Sequence, residues 1–564
     1  MQFGKIRGDT TLEREEVGVL IGGKAGEGIS SAGQIVAQML GHRGYRVHMY
    51  FDYPSLIKGG HNFAIIRGAR YKIGAVRSSV DFLLAMNQET IDLHRERLPP
   101  DGVVVYRSDT ARHSEGIGVE VKDLLAREEA PVVMGNSAIL GAFARAAGIE
   151  WALAEAVLRK SIPRQIEKNL RIARQAYDSS EIRLPIPPLY QTPLPVVTGN
   201  EAIALGLLKH GLRVYCGYPM SPTSNLLHFL ASYAQEARVR VIQPESETAV
   251  ILIALGCAYA GNRAAVGTSG GGFCLMTEAF GMAGIAELPV LVVLGQRPGP
   301  STGLATYTAQ SDLQFALSAG QGDVPRLIVA PGDAEEAMTW AGACLDLSWK
   351  YQLPSILLAD KTLCEGMYSM DRAEVGKFHI EPILAHEETH PYLRYAMTDS
   401  GISPLRFPPL KGEVIRVNSH VHDPDGITTE DEETTKGMAD KRGKKMRSLK
   451  EELETMHPVQ RGGDEDASSA LLCWGSNKGI CLEIGERFGL RVVRPVALWP
   501  FPTDSFTRAV EGVDRMFAVE NNETGQLARL VSGFGYRCEK LILQYNGRPF
   551  MVDELEEELR SVIA

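Results

Sequence analysis

The feature that most constrains the fold is a regular alternation that starts at Thr198. Short apolar runs alternate with helix-like segments and loops of small residues; the runs are LRVYCG, VRVIQ, RAAVGT, PVLVVLG and PRLIVA. Such alternation is typical of strands joined by crossover helices, which place the strands parallel in one sheet. The sequence therefore predicts an α/β fold with a doubly wound parallel sheet.

The same signals divide the rest of the chain into several α/β domains. The runs VGVLIGG, AGQIVAQMLGHRG and YRVHMYFD predict a βαβ unit in a first domain, 1–185, which ends near the proline-rich RLPIPPLYQTPLPVV. The second domain is predicted over 186–375. Segment 376–465 is predicted to be an extended connector with a solvated, mixed-charge helix, ADKRGKKMRSLKEELETM. A small α/β unit is predicted over 466–564.

Composition excludes several classes of function. The net charge of −10 over 564 residues argues against a nucleic acid or an anionic membrane as the main partner. The longest apolar windows, such as AVILIALGCAYAG, fall short of the roughly 20 residues that span a bilayer. The eight cysteines are scattered without a C-x-x-C pair, so we expect thiols in a reduced compartment, no metal site and a cytoplasmic protein.

Unusual loops follow four successive strands of the second domain. They are GYPMSPTS, QPESETA, TSGGGFCLMTE and GQRPGPSTGLAT. Ligands of open parallel sheets bind beyond the carboxyl ends of the strands. Any one of these loops alone is better explained as a turn, but the four together predict a ligand site at this edge of the sheet.

The residue types at this edge indicate half of an active site. Glu247 lies where a strand meets an apolar helix, so its protonation is open to tuning. Arg297 and Thr306 flank a glycine-proline loop and are suited to hold a carboxylate. A phosphate-binding loop, an H-E-x-x-H helix and a Ser-His-Asp order are all missing from the sequence. The sequence therefore predicts that this chain has no binding site for a diphosphate–metal unit.

These motifs resemble the 2-oxoacid:ferredoxin oxidoreductase family. GYPMSPTS resembles the family's Tyr-Pro-Ile-Thr-Pro motif, PESETA its Glu-x-Glu-x-Ala turn, and GQRPGPSTGLAT its Gln-Arg-Gly-Gly-Pro-Ser-Thr-Gly run. TSGGGFCLMTE, WGSNKG and VENNETGQLA continue the similarity. GGKAGEGISSAG and DYPSLIKGGHN are similar to the family's gamma domain. The resemblance covers nearly the whole chain, in the gamma-then-alpha order of a fused alpha subunit.

The resemblance implies a thiamine diphosphate enzyme built from two subunits. Residues 1–185 would be the gamma domain, 186–375 the pyrimidine-binding thiamine diphosphate domain and 466–564 a transketolase C-terminal-like domain. A separate beta subunit would carry the Mg²⁺–diphosphate motif and a [4Fe-4S] cluster, with thiamine diphosphate between the subunits. Coenzyme A and ferredoxin would complete the reaction, and the assembly would be a dimer of alpha–beta units.

The resemblance also implies roles for individual residues. Glu247 matches the acid that acts on the aminopyrimidine N1′, whereas a charge stabilised by a helix N-terminus fits Glu245 better. Arg297 and Thr306 match positions for the carboxylate and keto end of the substrate, with a plain surface arginine as the alternative. Ser221, which the resemblance predicts to bind the substrate and the cofactor, stands where the family usually has threonine, so the hydroxyl is kept and a methyl group is lost.

Three further residues keep two interpretations each, and one loop keeps three. Tyr218 and Pro219 would form a rigid wall against the cofactor ring and the substrate, or serve packing alone. Lys58 would reach a distal substrate carboxylate, or be solvated. The loop GGKAGEG fits a tight turn or a coenzyme A contact as well as dinucleotide binding.

The sequence thus favours an alpha subunit that oxidatively decarboxylates a 2-oxoacid, or runs the reaction in reverse to fix CO₂. The resemblance favours 2-oxoglutarate, and pyruvate or a branched-chain 2-oxoacid stays an alternative substrate. Two competing hypotheses are a non-catalytic nucleotide-binding scaffold and a transketolase-like two-carbon transferase.

Overall fold

A computed structural model describes residues 15–54, 60–378, 380–386 and 390–563. The chain divides into two compact units, Met1–Val196 and Val197–Ala564. Along the described residues no helix is both long and apolar enough to cross a membrane.

The first unit contains one mixed sheet. Its elements are β1 (Glu16–Lys24), α1 (Ile29–His42), β2 (Arg46–Asp52), β3 (His61–Ala69), β4 (Phe82–Ala85), α2 (Gln88–His94), β5 (Val103–Arg107), β6 (Ile117–Val119), α3 (Val121–Arg127), α4 (Gly135–Ala146), α5 (Trp151–Ser161) and α6 (Ile166–Ser179). The strands follow the order β6-β5-β4-β1-β3-β2. The predicted β1-α1-β2 elements are present, but β3 lies between the two strands and is antiparallel to both. A βαβ unit implies a parallel sheet, and here β1 and β2 do run in the same direction, but the insertion of β3 makes the sheet mixed.

The second unit carries the remaining elements. They are β7 (Val196–Thr198), α7 (Gly199–Lys209), β8 (Val214–Gly217), α8 (Ser224–Ser232), β9 (Arg240–Ile242), α9 (Glu247–Tyr259), β10 (Ala264–Ser269), α10 (Gly270–Ile285), β11 (Val290–Gln296), α11 (Leu313–Ser318), β12 (Leu327–Val329), α12 (Ala334–Tyr351), β13 (Pro354–Asp360), α13 (Lys361–Glu365), β14 (Met367–Ser369), α14 (Glu432–Thr455), β15 (Val459–Gly463), β16 (Ser469–Cys473), α15 (Asn477–Phe488), β17 (Arg491–Pro495), β18 (Ala497–Trp499), α16 (Thr503–Ala509), β19 (Arg515–Glu520), α17 (Gln526–Ser532), β20 (Lys540–Leu543) and α18 (Val552–Ile563).

The larger sheet of this unit has seven strands in the order β18-β12-β13-β11-β10-β8-β9. All pairs are parallel except β12 with β18, which is antiparallel. Strands β10 and β11 are buried along their whole length, as expected for central strands covered by helices on both faces. The predicted α/β fold with doubly wound parallel sheets is confirmed.

A second, five-stranded sheet has the order β15-β17-β16-β19-β20, in which only β15 is antiparallel to its neighbour. Gln310 links this sheet to the loop that follows β11. Its side-chain Nε2 donates to the carbonyl of Trp474 at 2.8 Å, and its backbone N–H donates to the carbonyl of Asn521 at 2.7 Å. The predicted segments 186–375, 376–465 and 466–564 largely share one compact unit, and their boundaries stay a prediction.

Helix α14 corrects one prediction about the connector. The mixed-charge helix was expected to be solvated, yet one face of it is buried: Met438, Lys441, Lys445, Leu449 and Leu453. Lys441 Nζ lies 2.6 Å and Lys445 Nζ 2.5 Å from the carboxylate of the buried Glu287. The lysines can be buried because they share this acid, so their charges do not mark a solvent-facing surface.

Candidate active site

The sheet order brings the four unusual loops to one edge. Strands β11, β10, β8 and β9 are consecutive neighbours, and all four run parallel. Their carboxyl ends therefore meet at the same edge, where the loops after β8 and β11 and the starts of α9 and α10 lie. The structure thus brings together the segments that the sequence predicts to form a site.

Glu247 is the first residue of α9. Ser246 caps this helix, because its Oγ accepts a hydrogen bond from the Ala249 N–H at 3.4 Å. Glu247 is only 5% exposed, and within the described part of the chain its carboxylate accepts no hydrogen bond. Glu245 is exposed and precedes the cap, so the prediction that Glu245 better fits the helix-terminal charge is wrong.

Arg297 follows β11 and contacts the loop after β8. Its Nη1 donates a hydrogen bond to the backbone carbonyl of Ser221 at 3.1 Å, and burial lowers the pKa of Arg297. The contact uses the Ser221 carbonyl, so the substrate role of the Ser221 hydroxyl stays a prediction. A Cβ at Gly295 would lie 2.8 Å from Pro222 Cδ, which shows that the proline loop is packed tightly against the end of β11.

The remaining predicted residues take different positions. Thr306 is buried in the loop after β11. Tyr218 is 38% exposed and Pro219 is half-buried, at the start of the loop after β8. Lys58 lies outside the described residues. The substrate and cofactor roles of these four residues stay predictions.

Asp312 is a residue of this edge that the sequence analysis missed. It directly precedes α11, and its backbone N–H donates to Gln296 Oε1 at 3.2 Å. Its Oδ2 is buried without a hydrogen-bond partner. Desolvation raises the pKa of Asp312 to about 7, against the opposing effect of the Arg297 charge. The position of Asp312 in the loop that also carries Arg297 was the available signal.

The glycine triplet Gly270–Gly272, which opens α10, forms a floor between the two acids. A Cβ at Gly272 would lie 2.9 Å from Glu247 Oε1, and one at Gly270 would lie 2.8 Å from Asp312 Oδ1. Since real Cβ atoms do not approach other atoms so closely, glycine is what lets both carboxylates reach this helix. One acid therefore lies at each end of the glycine floor, Glu247 at Gly272 and Asp312 at Gly270.

The helices beside this floor carry an exposed apolar surface. Leu252 on α9 is 43% exposed and Leu275 on α10 is 56% exposed. Thr248 joins the two helices, because its hydroxyl donates to the Leu275 carbonyl at 3.2 Å. Exposed apolar surface next to a site often marks a protein contact.

Two family profiles match the chain. The profile of the thiamine diphosphate-binding part of pyruvate flavodoxin/ferredoxin oxidoreductase matches residues 206–463, and the pyruvate ferredoxin/flavodoxin oxidoreductase profile matches residues 18–179. The first match includes Glu247, Arg297 and the glycine floor.

Similarity to known proteins extends over almost the full length of the chain. The alpha subunit of 2-oxoacid:ferredoxin oxidoreductase 2 from Aeropyrum pernix is 29% identical over 97% of this chain and 98% of its own. The 2-oxoglutarate oxidoreductase subunit KorA of Mycobacterium tuberculosis is 26% identical over 98% of this chain and 92% of its own. Among solved structures, the 2-oxoglutarate:ferredoxin oxidoreductase of Magnetococcus marinus, with 2-oxoglutarate, coenzyme A and succinyl-CoA bound, superposes with a TM-score of 0.87. It is 25% identical and covers 98% of this chain and 100% of that chain.

Proposed function

We infer the reaction from one premise: the chain belongs to the 2-oxoacid:ferredoxin oxidoreductase family and is an alpha subunit of such an enzyme. We propose that it acts on 2-oxoglutarate and forms succinyl-CoA and CO₂, with the electrons passing to ferredoxin. The substrate proposal rests on the Mycobacterium tuberculosis relative and the Magnetococcus marinus structure, both of which are named for 2-oxoglutarate. Pyruvate is the second candidate, since both family profiles are named for pyruvate enzymes.

The observation that carries the proposal is the environment of Glu247. Its side chain is only 5% exposed, its carboxylate receives no hydrogen bond from the described residues, and it faces a helix start that only glycine leaves open. A buried acid without a protein partner fits a ligand that supplies one. The residues present therefore fit the aminopyrimidine ring of thiamine diphosphate, with the Glu247 carboxyl group hydrogen-bonded to a ring nitrogen.

Thiamine diphosphate, when bound, supplies a nucleophilic ring carbon for the keto group and takes up the electron pair that CO₂ leaves behind. The chain's own contribution is to hold and orient the reactants. Tyr218 and Pro219 would wall the ring, and the tight packing of Pro222 against Gly295 keeps that wall in place.

The substrate carboxylate would bind Arg297. One guanidinium nitrogen is held by the Ser221 carbonyl, and Arg297 makes no ion pair with another described residue. Its remaining N–H groups are therefore available to an anion from outside the chain. The planar guanidinium of arginine is suited to bind such an anion. Thr306 and the Ser221 hydroxyl would contact the keto end.

We further propose that a beta subunit completes the site and carries Mg²⁺ and the [4Fe-4S] cluster. The exposed apolar surface of α9 and α10, beside the glycine floor, supports a protein partner at this place.

The test is to replace Glu247 in the complex of this chain with its beta subunit. We expect Glu247→Gln to lower kcat about 100-fold, because the amide cannot shuttle a proton with the ring nitrogen, while cofactor still binds. The measurement is 2-oxoacid- and coenzyme A-dependent reduction of a viologen dye, with 2-oxoglutarate and pyruvate compared. The exposed Glu245→Gln is the matched control. Full turnover of the cofactor-loaded Glu247→Gln complex would overturn the assignment.

A further inference from the structure

We propose that Asp312 is a positioning residue that sets, through Arg297, how tightly the site binds the carboxylate of its 2-oxoacid, and that this control varies with pH. The inference deepens the proposed function, because it rests on Arg297 as the carboxylate-binding group.

The loop after β11 places the two residues together. Arg297 begins this loop and Asp312 ends it, immediately before α11. Gln296, which precedes Arg297, is 1% exposed and accepts the Asp312 backbone N–H. Both ends of the loop therefore lie at the buried end of the same strand, β11.

The two charges act on each other without neutralising each other. The Arg297 charge stabilises ionised Asp312, yet the two side chains form no ion pair, and the Arg297 Nη1 is bound to the Ser221 carbonyl. Asp312 Oδ2 is buried without a hydrogen-bond partner. An anion bound to Arg297 would therefore experience the charge of Asp312 as well.

The charge of Asp312 changes in a useful pH range. On the α10 side it meets Gly270, which has no side chain, and Glu247 of α9 lies against Gly272, two residues further along α10. On the β11 side the charged group is Arg297, and Gln296 is neutral. Burial outweighs these influences and raises the pKa of Asp312 to about 7.

The sign of the effect follows from this pKa. Below it Asp312 is neutral, so the Arg297 charge attracts the substrate carboxylate unopposed. Above it the Asp312 carboxylate repels the substrate and offsets Arg297. Substrate affinity should therefore fall as the pH rises through neutrality.

The experiment measures KM and kcat for 2-oxoglutarate across neutral pH in the complex with the beta subunit. We expect the wild-type KM to rise about five-fold from pH ~6 to pH ~8.5, since one nearby charge is gained. Asp312→Asn should keep the low-pH KM throughout, with the change falling on KM more than on kcat, and Asp312→Glu should restore the rise. The exposed Asp323→Asn is the matched control and should behave like the wild type. A wild-type rise that persists in Asp312→Asn would overturn the inference.

A second measurement separates this inference from the proposed function. Infrared difference spectra of the wild-type complex should show a protonated-carboxyl stretch that disappears through neutral pH and is missing from Asp312→Asn. If this signal is present but Arg297→Ala leaves KM unchanged, the substrate role of Arg297 is wrong. If the signal is missing from the wild type, Asp312 does not hold the proton and the inference itself is wrong, even where the complex turns over.

Discussion

Glu287 and Asp312 are acids of the same unit that experience burial in opposite ways. Glu287 is 1% exposed, and Lys441 and Lys445 on α14 bind its carboxylate, so that nearby cations lower its pKa despite desolvation. Asp312 receives no hydrogen bond at its buried Oδ2, and desolvation raises its pKa to about 7. The matched acid holds two segments together, whereas the unmatched acid at the strand ends is available to a ligand.

Glu520 shows a third solution to the same problem. Its carboxylate is fully buried and accepts hydrogen bonds from Trp474 Nε1, from Asn522 Nδ2 and from the backbone N–H groups of Leu527 and Ala528. These neutral donors satisfy the acid. The sequence motifs WGSNKG and VENNETGQLA, which contribute most of this network, therefore serve at least the packing of the five-stranded sheet.

The largest effect on stability should come from replacing Glu287, the buried acid that is paired with two lysines. Glu287→Gln leaves two buried lysines without their counter-charge, and we expect it to lower the free energy of unfolding by about 3–5 kcal/mol. Urea denaturation followed by circular dichroism measures this loss. The exposed Glu278→Gln on α10 is the control and should unfold like the wild type. Equal stability of the two variants would show that the α14 cluster contributes nothing to folding.

A smaller loss should follow from changing the acid that neutral donors satisfy. In Glu520→Gln one carboxylate oxygen becomes an NH₂ group that faces an N–H donor, so at least one buried hydrogen bond is lost. We expect a decrease of about 1–3 kcal/mol in the free energy of unfolding. The same denaturation experiment measures it, with the exposed Glu523→Gln as control. A loss larger than that of Glu287→Gln would reverse the order that the comparison predicts.

Replacing Asp312, the acid without a buried partner, should raise the stability of the protein rather than lower it. Asp312 has a pKa of about 7 in the folded state, above the ordinary 3.8. The folded state therefore binds more protons than the unfolded state between these values, and stability falls as the pH rises toward 7. Asp312→Asn removes this penalty, so we expect a Tm a few degrees higher than the wild type at pH ~8 and no gain at pH ~4. Differential scanning calorimetry at the two pH values measures the difference, and a gain that is equal at both would contradict the assigned pKa.

Much of the fold could be predicted because the strands of the second unit are apolar throughout and their loops are not. This contrast located β8, β9, β10 and β11, and the rule for parallel sheets then placed their loops at one edge. Strand β3 escaped prediction because a period-two pattern does not reveal which strand pairs with which. Its insertion between β1 and β2 depends on long-range pairing.

The buried face of helix α14 and the role of Asp312 escaped prediction for a related reason. Lys441 and Lys445 occupy core positions at helical spacing with Met438 and Leu449, but a lysine is expected at the surface unless its partner is known. The partner, Glu287, is distant in sequence. Asp312 precedes a short helix and so resembles an ordinary cap, and only the structure shows that its Oδ2 is buried and unpartnered.

Strand β18 has a consequence for the way the chain is made. It is the edge strand next to β12, although the long helices α12 and α14 and three further strands of the five-stranded sheet lie between the two in sequence. During synthesis from the N-terminus, the backbone N–H and C=O groups on the open side of β12 have no strand to pair with until the ribosome has released residues Ala497–Trp499. A nascent chain that stops before this point exposes a strand edge able to pair with another molecule. Because this short strand is synthesised late, an incomplete chain is at risk of aggregating through the open edge of β12.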